Sequence, residues 1–184
     1  MDTCLMLIDL QNDYFPGGSM ELVGVGAAAA NARRLLNEFR NKEKPVIHIQ
    51  HIAAQAGATF FLPDSNGAQI HQQVVPQADE IVVVKHFPNS FRDTPLLGIL
   101  KARNINEIII GGAMSHMCID ATVRAAFDLG FTCMVAEDAC ATKNLTFKDK
   151  PVQASEVHAA FMAALSGSYA TVRSTKAILE NKVQ

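Results

Sequence analysis

The run Ile108-Ile109-Ile110-Gly111-Gly112-Ala113-Met114-Ser115-His116-Met117-Cys118 constrains this chain more than any other stretch. Three β-branched residues read as a buried strand, a glycine pair closes it, and a helical pattern follows without a linker. From Cys118 the small and apolar residues Cys118, Ala121, Thr122, Ala125, Ala126 and Leu129 recur along one face of a 3.6-residue period, with Gly130 as the stop. A cysteine where a helix begins lies among unpaired N–H groups at the positive end of the helix dipole. Both favour thiolate over thiol, and the same N–H groups can hold an oxyanion. The other reading of Cys118 is a small residue buried in a core.

The remaining strands repeat the arrangement. Residues 4–8, Cys-Leu-Met-Leu-Ile, form an apolar run that stops at Asp9, as a strand buried on both faces does. Residues 45–50 and 81–84 read as the second and third strands, the latter ending at Lys85. Residues 107–110 lead to Cys118, residues 132–136 end at Glu137-Asp138, and residues 170–173 give a short sixth strand. Between them lie helical patterns at 28–41, with Ala28, Ala32, Leu35, Leu36 and Phe39 on one face, and at 94–101, with Leu96, Leu97 and Leu100. Others fall near 69–73, at 152–165 with Val157, Phe161, Ala164 and Leu165 as the buried face, and at 175–181. The loops at 11–18, 51–66 and 86–91 are long and carry aromatic rings, and a polar loop runs through Thr142, Asn144 and Lys150. Gly24-Val25-Gly26-Ala27-Ala28-Ala29 spells a dinucleotide-binding pattern but follows a long loop rather than a strand, so it marks a helix entrance.

Strands alternating with helices predict one domain over residues 1–184, an α/β doubly wound six-stranded parallel sheet with helices on both faces. Ligands of such sheets bind beyond the carboxyl ends of the strands. Asp9, Lys85 and Cys118 all stand at or just past such ends. A thiol with a carboxylate and an ammonium is a nucleophilic constellation, in which Asp9 takes and returns protons and Lys85 holds the carboxylate.

Composition narrows the partners. The 184 residues are 49% hydrophobic with net charge −2 and no Lys/Arg run, which argues against nucleic acid and anionic membrane and for a small-molecule substrate. The N-terminus lacks a signal-peptide pattern, and Cys4, Cys118, Cys133 and Cys140 form no C-x-x-C pair. The expectation is a cytoplasmic protein with reduced thiols and no structural zinc.

Three blocks, Leu7-Ile8-Asp9-Leu10-Gln11-Asn12-Asp13-Tyr14, Val84-Lys85 with Pro88 and Phe91, and Gly111 through Cys118, together resemble the isochorismatase-like cysteine hydrolases over nearly the whole chain. That family includes nicotinamidases, N-carbamoylsarcosine amidases, ureidoacrylate amidases and true isochorismatases. The resemblance implies a Rossmann-like six-stranded fold and an Asp9-Lys85-Cys118 triad. It further implies a cis peptide at Ala113-Met114, an oxyanion hole from the backbone N–H groups of Met114 and Cys118, and homodimers or homotetramers. The expected reaction is C–N hydrolysis of a small amide through a thioester. Alternatives are vinyl-ether hydrolysis of the isochorismate type and a non-catalytic binding module.

One departure bears on metal. Where nicotinamidases carry Asp-x-His after the second strand, this chain has His51-Ile52-Ala53. His48, His51 and His71 are left without an obvious carboxylate, so no metal and no cofactor is expected. His48 and His158 read as structural. Tyr14, Phe60, Phe61, Phe91, His86 and His116 are candidates for the substrate pocket, against ordinary packing.

Overall fold

The computed structural model describes residues 2–182. Six parallel strands form one sheet in the order β3-β2-β1-β4-β5-β8. They are β1 (Asp2–Ile8), β2 (Val46–His51), β3 (Ile81–Lys85), β4 (Ile105–Ala113), β5 (Thr132–Ala141) and β8 (Thr171–Arg173). The helices are α1 (Val25–Asn41), α2 (Leu96–Ala102), α3 (Asp120–Asp128), α4 (Ala154–Ser166) and α5 (Thr175–Lys182). The doubly wound α/β architecture is as expected.

Alternation along the strands explains the two layers. Cys4, Met6 and Ile8 of β1 join Ile108 and Ile110 of β4 in a core closed by Leu96 and Leu100 of α2, Val123 and Ala126 of α3, and Met162 and Leu165 of α4. Leu5 and Leu7 point the other way, with Ile109 and Met134, onto Leu35, Leu36 and Phe39 of α1 and Ile178 of α5. Each Val, Leu, Ile, Phe or Met among them, fully buried, contributes roughly 1.5–3 kcal/mol. The strand order reverses between β1 and β4, and it is beyond the carboxyl ends at such a switch point that sheets of this kind bind ligands.

Several local expectations are corrected. The helical segment does not begin at Cys118: a π-turn, Ser115–Ile119, precedes α3, and the buried positions are Cys118, Ile119, Thr122, Val123 and Ala126, with Leu129 exposed. Leaving the strand through a wider turn changes the phase of the helix, so Ile119 and Val123 rather than Ala121 and Ala125 meet the sheet. In α4 Met162 is buried while Ala164 is exposed. β4 runs on through the glycine pair, and β5 continues past Glu137 and Asp138, which sit at a register shift in the β4–β5 pairing. Two short 3-10 turns, Asn66–Ala68 and Gln72–Val74, replace the helical piece near 69–73. The polar loop after β5 contains an antiparallel hairpin of β6 (Leu145–Phe147) and β7 (Lys150–Val152). Its central residues Lys148 and Asp149 both have positive φ, as a tight hairpin turn requires. Gly24 caps α1 in the left-handed conformation, so the G-x-G-x-x-A stretch is indeed a helix entrance.

The glycine pair has a packing reason. At Gly112 φ is +136, and a Cβ there would overlap the carbonyl oxygen of Ile8. β1 and β4 can therefore approach closely only if position 112 has no side chain. Gly112→Ala is expected to cost at least ~2 kcal/mol in urea unfolding. An unchanged midpoint would show that the β1–β4 contact is not held by this position.

Candidate active site

Each member of the cluster is delivered by the end of a strand. β1 stops at Ile8 because Asp9 turns into the left-handed region, φ +52, while its N–H still donates to Ile49 O at 3.0 Å. Asp is among the residues that tolerate this conformation. Lys85 closes β3 and is completely buried, as is Asp9. β4 leaves the sheet through the cis peptide Ala113-Met114 and enters the π-turn that carries Cys118. Within that turn Met114 O accepts from Met117 N at 3.0 Å and Ile119 N at 3.2 Å, passing over the N–H of Cys118 between them.

The structure brings the three predicted residues together. Lys85 Nζ donates to Asp9 Oδ2 at 2.8 Å, to Phe87 O at 3.1 Å and to His51 Nδ1 at 3.2 Å, with Pro88 O at 3.4 Å. Asp9 Oδ1 is buried and has no hydrogen-bond partner among the described residues. Cys118 Sγ, a carboxylate oxygen of Asp9 and a ring nitrogen of His51 all lie within 4.8 Å of one another. One oxygen of Asp9 is thus tied to the ammonium while the other is uncommitted.

The electrostatics overturn one expectation. Burial, and then the neighbouring Asp9 carboxylate, push the Cys118 thiol well above its ordinary value, and Lys85 only partly offsets them. The resting side chain is a thiol, because desolvation outweighs the helix start. Lys85 is the reverse case: burial alone would lower it, but Asp9 and Cys118 hold its proton more firmly than usual. His51 is pushed down to about 4, first by burial, with Lys85 and His86 acting in the same sense and Asp9 against.

His51 lies in this cluster and not with His48 and His71, the two other histidines left without an obvious carboxylate in the sequence. Those three do not assemble. His48 Nε2 lies 2.9 Å from Glu80 Oε2, and His71 stacks on Phe15 at 3.5 Å between ring centroids. His51 spends Nδ1 on Lys85, and Ala53 offers no ligand atom, so the residues present do not fit the Asp-x-His metal cluster. The ammonium already supplies the positive charge at Asp9 and His51. Nor did any pattern point to Gln11. Its buried amide donates to His51 O at 2.8 Å and accepts from His51 N at 2.7 Å, clamping the backbone that carries the ring. Asp13, likewise buried, accepts from Phe61 N at 2.6 Å and Ser19 N at 3.2 Å, joining two loops over the site.

Of the candidate pocket residues, Tyr14, Phe60 and Phe61 form one aromatic cluster, with Tyr14–Phe61 centroids at 4.6 Å and Phe60–Phe61 at 5.0 Å, and His51 sits 5.8 Å from Phe61. Phe91 does not join it. It stacks at 6.1 Å on Phe131, which precedes β5 at the opposite rim of the sheet. The reason is that the 86–95 loop runs back towards α2. His86 donates through Nδ1 to Ile52 O at 2.8 Å, beside the His51 strand end. His116 Nδ1 is 2.7 Å from Thr142 Oγ1. His158, read as structural, has its Nδ1 2.8 Å from Ser115 Oγ at the head of the π-turn.

The His48 site makes its own prediction. Burial would raise Glu80, but Arg40, the Gln77 N–H and His48 together draw it down to about 2. A depressed carboxyl contributes stability that is complete above its ordinary value of 4.5 and is lost as pH falls towards 2. Glu80→Gln should remove this acid branch, read as a shallower loss of ellipticity between those pH values. An unaltered acid titration would detach the ion pair from stability.

A doubly wound sheet that gathers thiol, carboxylate and ammonium beyond the carboxyl ends of its strands defines a class of α/β proteins with a nucleophilic site at that rim. Within it, this chain belongs to the isochorismatase family: the Isochorismatase domain profile matches residues 3–177. The uncharacterized isochorismatase family protein YddQ of Bacillus subtilis (strain 168) is 53% identical over 180 residues, spanning 98% of this chain and 100% of that one. A crystal structure from Oleispira antarctica, assigned as an isochorismatase hydrolase, superposes with a TM-score of 0.94 at 50% identity, covering 98% of this chain and 97% of that one. Streptothricin hydrolase of Streptomyces noursei is 32% identical over 142 residues, 77% of this chain and 50% of its own length.

Proposed function

We propose that the chain is a cysteine amidohydrolase that cleaves the C–N bond of a small amide through a thioester, with Cys118 as nucleophile and Asp9 and Lys85 completing the triad. The observation that carries this reading is the buried cluster itself: a carboxylate oxygen of Asp9 lies within 4.8 Å of Cys118 Sγ, Lys85 pins Oδ2, and the buried Oδ1 has no partner among the described residues. A carboxylate so held has one free basic oxygen and one direction in which to use it. The hydrolase named for streptothricin, at 32% identity, supports hydrolysis of a small organic molecule.

As Cys118 Sγ bonds to the amide carbon, its proton moves to Asp9 Oδ1 and the carbonyl electrons move to oxygen. The N–H groups of Met114 and Cys118 hold that oxyanion. Asp9 then gives the proton to the nitrogen as the C–N bond breaks, leaving a thioester and a free amine or ammonia. Asp9 next takes a proton from water, the hydroxide adds to the thioester carbon, and the carboxylic acid departs as the thiol is restored. The raised thiol fits this order, because attack and proton transfer to Asp9 occur together rather than from a standing thiolate.

The test is a panel of small amides screened for ammonia or amine release with wild type and Cys118→Ala in parallel. Release that vanishes with the thiol is the expected result. Cleavage of a vinyl ether that survives Cys118→Ala, with no amide turned over, would replace this reading with protonation chemistry.

A further inference from the structure

Resting on that reading, we infer that His51, one ring nitrogen of which lies within 4.8 Å of Cys118 Sγ, is a substrate-binding residue: its Nε2–H is a fixed hydrogen-bond donor of the site, which selects an uncharged amide that carries an acceptor atom close to the carbon attacked.

The tautomer follows from valence. An ammonium has donors and no lone pair, so the 3.2 Å contact between Lys85 Nζ and His51 Nδ1 requires a lone pair on Nδ1. The ring proton is therefore on Nε2. No hydrogen bond among the described residues uses that atom, and His51 is half-buried while Asp9, Lys85 and Cys118 are closed off. A donor at the mouth of a dry site loses its water when substrate enters, so an acceptor on the substrate must replace it.

The ring is also held in place. Gln11 grips the backbone of His51 on both sides of the residue, Lys85 fixes one ring edge, and Phe61 lies against it at 5.8 Å. A donor so constrained loses little freedom on binding and discriminates by geometry.

Charge supplies the second half. The groups facing His51 are Asp9, Lys85 and His86. Lys85 is the cation of this cluster, and its three protons are already shared among Asp9, His51 and the carbonyls of Phe87 and Pro88. His51 itself is neutral at ordinary pH. A substrate carboxylate next to the reacting carbon would meet the Asp9 charge with no free cation in the cluster to offset it. A neutral acceptor, such as a carbonyl, meets only the Nε2–H.

Alkylation of Cys118 tests this without a known substrate. Iodoacetamide is uncharged and bears a carbonyl acceptor, iodoacetate is its anionic counterpart, and iodomethane has neither charge nor acceptor. Rates are read by mass spectrometry of the Cys118 peptide. His51→Asn keeps an acceptor near Nδ1 and removes the Nε2 donor, whereas His51→Gln places an N–H near Nε2. Expected for His51→Asn is a ~10-fold slower reaction with iodoacetamide and a change within about twofold for iodomethane, with part of the loss recovered in His51→Gln. Wild type should prefer iodoacetamide to iodoacetate by more than free cysteine does. If iodoacetamide and iodomethane slow alike in both variants, His51 acts only through Lys85 and the proposal is overturned. An unchanged rate with every reagent overturns it too. Alkylation of wild-type Cys118 no faster than that of the other buried cysteines would instead bring down the nucleophile assignment, and this proposal with it.

Discussion

Cys118→Ala lowers turnover of any accepted amide by at least ~10³-fold while the fold survives, because the covalent route disappears and the remaining groups offer only positioning and oxyanion stabilisation. Sγ is small and sits in a core that includes Ile8, Ile110 and Ile119, so an alanine leaves a modest void rather than an unpaired charge. A folded variant, judged by unchanged near-ultraviolet dichroism, that keeps even a tenth of wild-type turnover would remove Cys118 from the chemistry. Asp9→Asn should lose nearly as much. Asp9→Asn with Cys118→Ala should be little worse than either alone, since groups that act as one unit are not additive. Losses that multiply would mean separate roles.

Lys85→Met should cost both stability and activity. The substitution leaves a fully buried Asp9 carboxylate without its 2.8 Å partner, and breaking a buried pair in this way typically costs ~3–5 kcal/mol. Lys85→Met combined with Asp9→Asn leaves no charge uncompensated and should recover much of that loss. The direction with pH follows from the raised lysine. Its contribution is complete below the ordinary lysine value of 10.5 and is lost as pH rises through the higher folded value. The gap between wild type and Lys85→Met in urea midpoint should therefore be full at neutral pH and close only on the alkaline side. A single variant as stable as wild type at pH 7 would show that Asp9 finds other compensation.

These predictions rest on features with different visibility in the sequence. The ends of β1 and β3 are legible because an apolar run interrupted by one polar residue is a local pattern, whereas β4 runs past its glycine pair to Ala113. A shared rim for those ends follows from the alternation of strands and helices. Phe91 shows the limit: its ring looked equivalent to Phe60 and Phe61, yet it packs on Phe131. The chain direction after β3 is not written in its composition. His48, His51 and His71 go to Glu80, to Lys85 and to Phe15, partners that no local pattern names. Alternation alone separates His48 from His51, three residues apart on β2, onto opposite faces of the strand.

The sequence by itself determined the α/β class, the parallel sheet and the residues at its carboxyl rim. Those properties arise from periodicity, propensity and turn chemistry, which act over a few neighbouring residues. Tertiary structure alone decided that Cys118 rests as a thiol, that Asp9 keeps one oxygen free, and that His51 carries its proton on Nε2. Each depends on which groups from distant segments share a space from which water has been removed. Within 4 Å in such a space, displacing one partner or readmitting water changes protonation and hydrogen bonding by amounts no local pattern encodes.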